Sequence, residues 1–205
     1  MTQLVRQAID EGYDADQILN EGLLAGMSVI GEKFKKNEVY VPEVLISARA
    51  MNAGASLLKP LLEASGAKAF GKVVIGTVKG DLHDIGKNLV HMMMEGKGLE
   101  VVDLGVDVPA EKFIEAAVSE GTQIIALSAL LTTTMNEMKN VVDAVVEAGI
   151  RDKVVIMIGG APVTEAFCQS IGADSYTPDC ATAADEAIRF CQKLLASKFP
   201  STNSS

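Results

Sequence analysis

The sequence predicts an α-helical bundle followed by an α/β unit built on a five-stranded parallel sheet. Two observations carry that prediction. Over residues 1 to 65 the apolar side chains recur only at helical spacing, whereas from residue 72 onward short β-branched runs alternate with helical segments. At 205 residues and 48 % hydrophobic content, the chain can bury one large core or two small ones.

In the bundle, Leu19, Leu23, Met27, Ile30 and Phe34 form one apolar stripe, and Val44, Leu45, Ala48, Met51, Ala55, Leu58 and Leu62 form a second. Asp14 and Asp16 are suitable N-caps, and Pro42 suits the first turn of a long helix that ends before Gly66. The small and polar stretch Ala64 to Lys68 reads as a linker. The expected boundaries are therefore 1–65 for the bundle, 66–71 for the linker and 72–198 for the α/β domain, with a polar tail over 199–205 expected to be disordered.

The strands of the second half are expected at 72–78, 99–103, 122–127 and 153–158, with a weaker one near 173–176. Ile124 to Leu127 and Val154 to Ile158 are apolar at consecutive positions, as central strands covered by helices on both faces must be. A flavodoxin-like strand order, within the wider Rossmann-like class of doubly wound sheets, is the natural arrangement of such units.

Charge narrows the function classes. The net charge of −9 and the absence of a basic run argue against nucleic acid or an anionic membrane as partner, because both require clustered Lys and Arg. Residues Met1 to Arg6 lack the pattern of a signal peptide, and no uncharged apolar stretch approaches the ~20 residues of a membrane span, so a cytoplasmic location is expected. The three cysteines, Cys168, Cys180 and Cys191, show no Cys-x-x-Cys spacing and read as reduced core residues.

The chemistry concentrates in Gly80-Asp81-Leu82-His83-Asp84-Ile85-Gly86-Lys87-Asn88, which follows the first strand and contains one of only two histidines. Open α/β sheets bind ligands at the edge where such a loop lies. A phosphate-binding P-loop has four residues between its glycines and a Ser or Thr after its lysine; here five intervene, Asn88 follows, and Asp81 and Asp84 would repel phosphate. A phosphate-accepting receiver domain fails as well, because the third strand ends in Leu127-Ser128-Ala129-Leu130 with no acceptor Asp.

What remains is an Asp-x-His pair. A carboxylate two residues before an imidazole can accept its N–H, fix the tautomer and strengthen the other nitrogen as a metal donor. On these residues alone His83 is either such a ligand, oriented by Asp81, or a polar loop residue. Two small-residue signals, Ser128-Ala129-Leu130 and Gly159-Gly160, end later strands at the same edge and suggest a deep slot for a flat or elongated ligand.

Asp81-x-His83-x-x-Gly86, Ser128-x-Leu130 and Gly159-Gly160, in this order, resemble the cobalamin-binding domain shared by methionine synthase, corrinoid methyl carriers and some mutases. The bundle, with Glu32-Lys33-Phe34 and Tyr40-Val41-Pro42-Glu43-Val44-Leu45, resembles the helical cap module of methionine synthase and of small corrinoid proteins. The resemblance implies that cobalamin or a related corrinoid, in its carrier state methylcobalamin, binds base-off/His-on: its benzimidazole leaves cobalt and is buried as a tail, and His83 becomes the axial cobalt ligand. Asp81 and then Ser128 would form the relay behind His83. Gly80, Asp84, Ile85, Gly86, Leu130, Gly159 and Gly160 would bind the cofactor, the glycines by letting the backbone approach.

The resemblance further implies methyl carriage between a substrate-specific corrinoid methyltransferase and an acceptor methyltransferase acting on folate or a thiol coenzyme, with a reductive activator as third partner. Alone, the chain would turn over little or nothing. The donor, whether methanol, a methylamine, a betaine or an aryl methyl ether, is chosen by the partner. The cap would cover the upper face of the corrin and swing away about residues 64–71.

Several residues keep two readings. Phe34, Tyr40 and Val41 either cap the methyl group or fill the bundle core; Thr132, Thr133 and Thr134 either bond the tail or cap the next helix. Tyr176, Pro178 and Asp179 either wall the nucleotide or form a turn with Asp179 as N-cap. His91 has no chelate spacing and reads as a helix residue. A mutase cobalamin subunit is the main rival function, but it gives no reason for the N-terminal bundle. A cobalamin sensor would need a DNA-binding module, and the N-terminal segment has more acids than bases.

Overall fold

The structure, a computed structural model, describes residues 1–65 and 69–198; part of the expected linker and the whole expected tail lie outside the described residues. The bundle comprises α1 (Thr2–Asp10), α2 (Ala15–Gln17), α3 (Ala25–Lys35) and α4 (Val41–Ser65). Asp14 caps α2 by accepting the amide of Asp16, so Asp16 is not itself a cap but the residue being capped.

The helix expected through Leu19 and Phe34 is wound in three parts. Between α2 and α3 the chain forms a π-helical stretch, Ile18–Leu24, closed by the Ala25 amide donating five residues back to the carbonyl of Asn20. The wider turn lets the adjacent Leu23 and Leu24, together with Met27, all be buried. In α4, Pro42 lies in the first turn, Glu43 accepts the amide of Tyr40 at 3.0 Å, and Val44, Ala48, Met51 and Leu58 form the buried stripe.

The second half alternates β1 (Lys72–Thr77), α5 (Ile85–Glu95), β2 (Glu100–Asp103), α6 (Ala110–Glu120), β3 (Ile124–Ser128), α7 (Met135–Glu147), β4 (Val155–Gly159), α8 (Glu165–Ile171), β5 (Ser175–Tyr176) and α9 (Cys180–Lys198). The sheet order is β2-β1-β3-β4-β5 with all pairs parallel, the flavodoxin-like order, and the strand ends fall within two residues of those expected. Alternation sends Val74, Ile125, Leu127, Ile156 and Ile158 to the face packed with Phe113 of α6 and Met138 of α7. Val73, Ile75, Ile124, Ala126 and Met157 face the opposite side, toward Met93 and Met94 of α5 and Ala184 and Ala187 of α9.

That second face is continuous with the bundle. Leu23, Met27, Val44, Ala48, Met51 and Leu58 belong to the same apolar cluster as Val73, Met93 and Ala184. Gly96, just after α5, lets the two halves pack closely: a Cβ there would stand 2.4 Å from Cγ of Met27.

Candidate functional site

The parallel register aligns three strand ends in one row, Thr77 beside Ser128 and Ser128 beside Gly159. The loops that leave this row therefore open on one edge. Val78 donates its amide to the carbonyl of Ser128 at 3.0 Å, which ties the start of the first loop to the end of β3.

Asp81 is completely buried, and its carboxylate accepts hydrogen bonds on both oxygens. Its Oδ2 accepts from the amides of Leu130 (2.8 Å) and Leu131 (3.1 Å) and from Oγ1 of Thr134 (2.8 Å). Its Oδ1 accepts from the amide of His83 at 3.1 Å and lies 2.7 Å from Nδ1 of the same residue. Burial alone would raise the Asp81 pKa, but the bonds from His83, from Thr134 and from the Leu130 and His83 amides outweigh it and hold the carboxyl well below the ordinary range.

An ionised carboxylate at Nδ1 places the ring proton there and leaves the Nε2 lone pair free to donate. The His83 side chain is 50 % exposed, and its backbone is held separately, Oγ1 of Thr77 donating to the His83 carbonyl at 2.9 Å. The ring is thus fixed at one nitrogen and presented at the other.

Behind Asp81 stands Thr134, and this corrects the expectation for Ser128. Ser128 shares the face of β3 that carries Ile124 and Ala126, so its side chain lies on the open slot, while the turn after Ala129 brings Leu130, Leu131 and Thr134 onto the carboxylate. Thr134 spends its hydroxyl there and gives α7 no side-chain cap. Thr132 and Thr133 are exposed and do not line the slot, and α7 has no side-chain cap.

The slot is a cavity of ≈ 650 Å³ lined by His83, Asp84, Ile85 and Gly86, by Ser128 and Leu130 at the end of β3 and beyond it, by Gly159 and Gly160 likewise at β4, and by Tyr176 to Asp179 at β5. Phe34 of α3 and Ala183 of α9 also line it. Gly160 is required by geometry: its φ is +136° and a Cβ would fall 1.9 Å from the carbonyl oxygen of Ala129. Tyr176 and Asp179 both reach the slot, and Asp179 also caps α9, accepting the amides of Ala181 (2.9 Å) and Thr182 (2.8 Å).

Gly80 does not line the slot; with φ +79° it turns the loop, and its amide donates to Oδ1 of Asp107 at 2.7 Å. Tyr40 is 64 % exposed and, like Val41, lies off the slot, leaving Phe34 as the aromatic from the bundle that reaches it. Cys180 also lines the cavity, but burial first and the neighbouring Asp179 second push its thiol up to about 11, so it stays protonated and unreactive.

Sequence reasoning missed Thr77 and Lys87, and it read Thr134 as a tail or capping residue rather than as the partner of Asp81. Lys87 is 3 % exposed, lines the slot and pairs with Asp103 at the end of β2; His91, one turn further along α5, contacts Asp103 at 3.3 Å and Glu95 at 3.4 Å. A lysine following Gly86 gave no signal of burial, because its counter-ion sits on another strand.

A flavodoxin-like sheet with a deep, mostly apolar slot at its binding edge, and one imidazole held there by a buried carboxylate, defines a protein that holds a large cofactor. Comparison with known proteins gives the family. The B12 binding domain family matches residues 71–188, and a second family of the same description matches residues 1–59. The chain belongs to the B12-binding family of corrinoid proteins.

It is 44 % identical over 185 residues to the dimethylamine corrinoid protein of Methanosarcina barkeri, covering 89 % of this chain and 84 % of that one. It is 45 % identical over 176 residues to trimethylamine corrinoid protein 1 of Methanosarcina acetivorans, covering 85 % and 82 %. Among solved structures, it superposes with a TM-score of 0.83 on a chain of the methanol:cobalamin methyltransferase complex from Methanosarcina barkeri, at 34 % identity over 97 % of this chain and 78 % of that one. Among the described residues no helix is long and apolar enough to cross a membrane.

Proposed function

We propose that this chain is a cytoplasmic methyl carrier that binds a corrinoid base-off, with Nε2 of His83 as the axial ligand to cobalt. The observation that carries the proposal is the Asp81–His83 pair, 2.7 Å apart at the mouth of the slot, with Nδ1 committed and Nε2 free. Among the described residues no three metal-ligating side chains converge, so a single imidazole nitrogen suits a metal that brings its own macrocycle. When bound, the corrinoid supplies a cobalt centre able to take up and release a methyl group.

The chain's own residues bind, orient and tune. Asp81 keeps a proton on Nδ1 and fixes the ring, and Leu130, Leu131 and Thr134 hold Asp81 ionised, so His83 is a strong donor in one orientation. Gly159 and Gly160 allow the slot's wall to approach a tail closely, and Ser128, Leu130 and Tyr176 line the same slot. Phe34 brings the bundle against that slot.

Methyl transfer to and from the carrier is then the work of partners. The names of the relatives support a methylamine methyltransferase on the substrate side, and the solved methanol complex supports direct docking of such an enzyme. An acceptor methyltransferase using folate or a thiol coenzyme, and a reductive activator, complete the system. The bundle's shared core with the sheet supports this reading over a mutase subunit.

Reconstitution tests it. Purified protein mixed with methylcobalamin is expected to give the absorption spectrum of a base-off, His-ligated corrinoid, and His83→Ala to abolish that spectrum. A spectrum that His83→Ala leaves unchanged contradicts the ligand assignment.

A further inference from the structure

The loop that carries His83 is braced from outside its own motif. The connection from β2 to α6, residues 104–109, is stitched along the end of β1 and onto the loop: Leu104 donates to Ile75 (2.8 Å), Thr77 to Gly105 (3.0 Å), Val108 to Thr77 (3.0 Å) and Asp107 to Asp81 (3.0 Å), all between backbone groups. Val78 and Val108 pair as an isolated parallel bridge.

Two side chains convert this platform into a clamp. Thr77 is fully buried, and its hydroxyl donates to the carbonyl of His83 at 2.9 Å, across the loop from the end of β1. Asp107 accepts the Gly80 amide at 2.7 Å while donating its own amide to Asp81, so it grips the peptides on either side of the loop's turn. To do both, Asp107 adopts φ +54°, a left-handed conformation that Asp and Asn tolerate better than other side chains. Both bonds go to the loop's backbone, whereas the imidazole's own bond is to Asp81.

We propose that Thr77 and Asp107 are positioning residues for the axial histidine: together they fix the Gly80–His83 backbone so that the ring is already aimed when a corrinoid arrives. The proposal rests on His83 being the cobalt ligand. Asp81 and Thr134 fix the ring about its own bonds; Thr77 and Asp107 fix where the ring begins. Without them the Asp81–His83 pair can still form, but on a loop free to carry it away from the slot.

The test uses the full chain loaded with cobalamin, the ratio of His-ligated to unligated corrinoid being read from the absorption spectrum, with hydrogen exchange of the loop amides followed in the ligand-free protein. Thr77→Val keeps shape and strand preference but removes the donor, and Asp107→Gly keeps the left-handed backbone but removes the acceptor. Each is expected to lower the ligated-to-unligated ratio by roughly tenfold, as loss of one partly buried hydrogen bond does, and to speed exchange at Gly80 and His83. Thr77→Ser and Asp107→Asn retain the hydrogen-bonding atoms and are expected to stay near wild type.

Ligation at the wild-type ratio in both Thr77→Val and Asp107→Gly overturns the proposal whatever their thermal stability, and so does loss of ligation that the conservative partner fails to restore. If the wild-type protein itself binds cobalamin without histidine ligation, the carrier reading of His83 is what fails, and the exchange data on the ligand-free variants still decide whether the clamp exists.

Discussion

Asp81 gathers its hydrogen bonds from three directions, and the consequences differ for each donor. Removing the Thr134 hydroxyl leaves a buried carboxylate one bond short, so Thr134→Val is expected to cost about 1–3 kcal/mol in denaturant unfolding of the ligand-free protein. Ser128→Ala, which removes no partner of Asp81, is expected to stay within about 0.5 kcal/mol in the same assay. Gly160→Ala forces a Cβ onto the Ala129 carbonyl at a φ that L residues avoid, and a loss on the order of 2–4 kcal/mol is expected, together with a narrowed slot. The sequence showed Asp81-x-His83 and Gly159-Gly160 because each is a local pattern with a local cause. It did not show Thr134, because which of three consecutive threonines meets Asp81 depends on how the turn after Ala129 is aimed, and that is set by tertiary packing.

Helices α5 and α9 are the elements that connect the slot to the rest of the chain. Asp179 begins α9 with two capping bonds, and Asp179→Ala is expected to destabilise by about 1 kcal/mol. On α5, His91 is held between Glu95 and Asp103, and Glu95 also accepts from Asn52 of α4 at 3.1 Å. The bond to Glu95, against the opposing cost of burial, raises the His91 pKa above 6.5, and the same bond lowers that of Glu95 below 4.5. His91 therefore stabilises fully below 6.5, and its contribution is lost as pH rises through its folded value; Glu95 contributes above 4.5 and loses its effect as pH falls. Thermal melting of the wild type minus that of His91→Gln is expected to be greatest between these two values and to shrink on the alkaline side; a difference independent of pH removes His91 from this account. Element order and strand positions were legible from periodicity, since parallel central strands must be apolar on both faces. The π-helical stretch was not, because Leu19, Leu23 and Met27 keep helical spacing whether or not one turn is widened.

At the scale of the whole molecule, two different sequence periodicities end in one apolar cluster, from Leu23 and Met27 through Met51 to Met93 and Ala184. Lys35 of α3 and Lys97 both pair with Asp185 of α9, adding a polar clasp over the same junction. Calorimetry of the ligand-free chain is expected to show one cooperative transition; two resolved transitions would mean that the bundle and the sheet domain are independent. On the proposed carrier function, a swing of the bundle would part this apolar interface, and partners that replace those contacts would have to offset the cost. All of this serves one claim, that Nε2 of His83 holds cobalt. The most direct measurement is the electron paramagnetic resonance spectrum of the cobalt(II) form, using protein labelled with ¹⁵N-histidine and unlabelled cobalamin. Each cobalt line is predicted to split in two, as a single spin-half axial nitrogen from the protein requires, and to lose that splitting in His83→Ala. A threefold splitting unchanged by the label would place the cofactor's own benzimidazole on the metal and contradict the account.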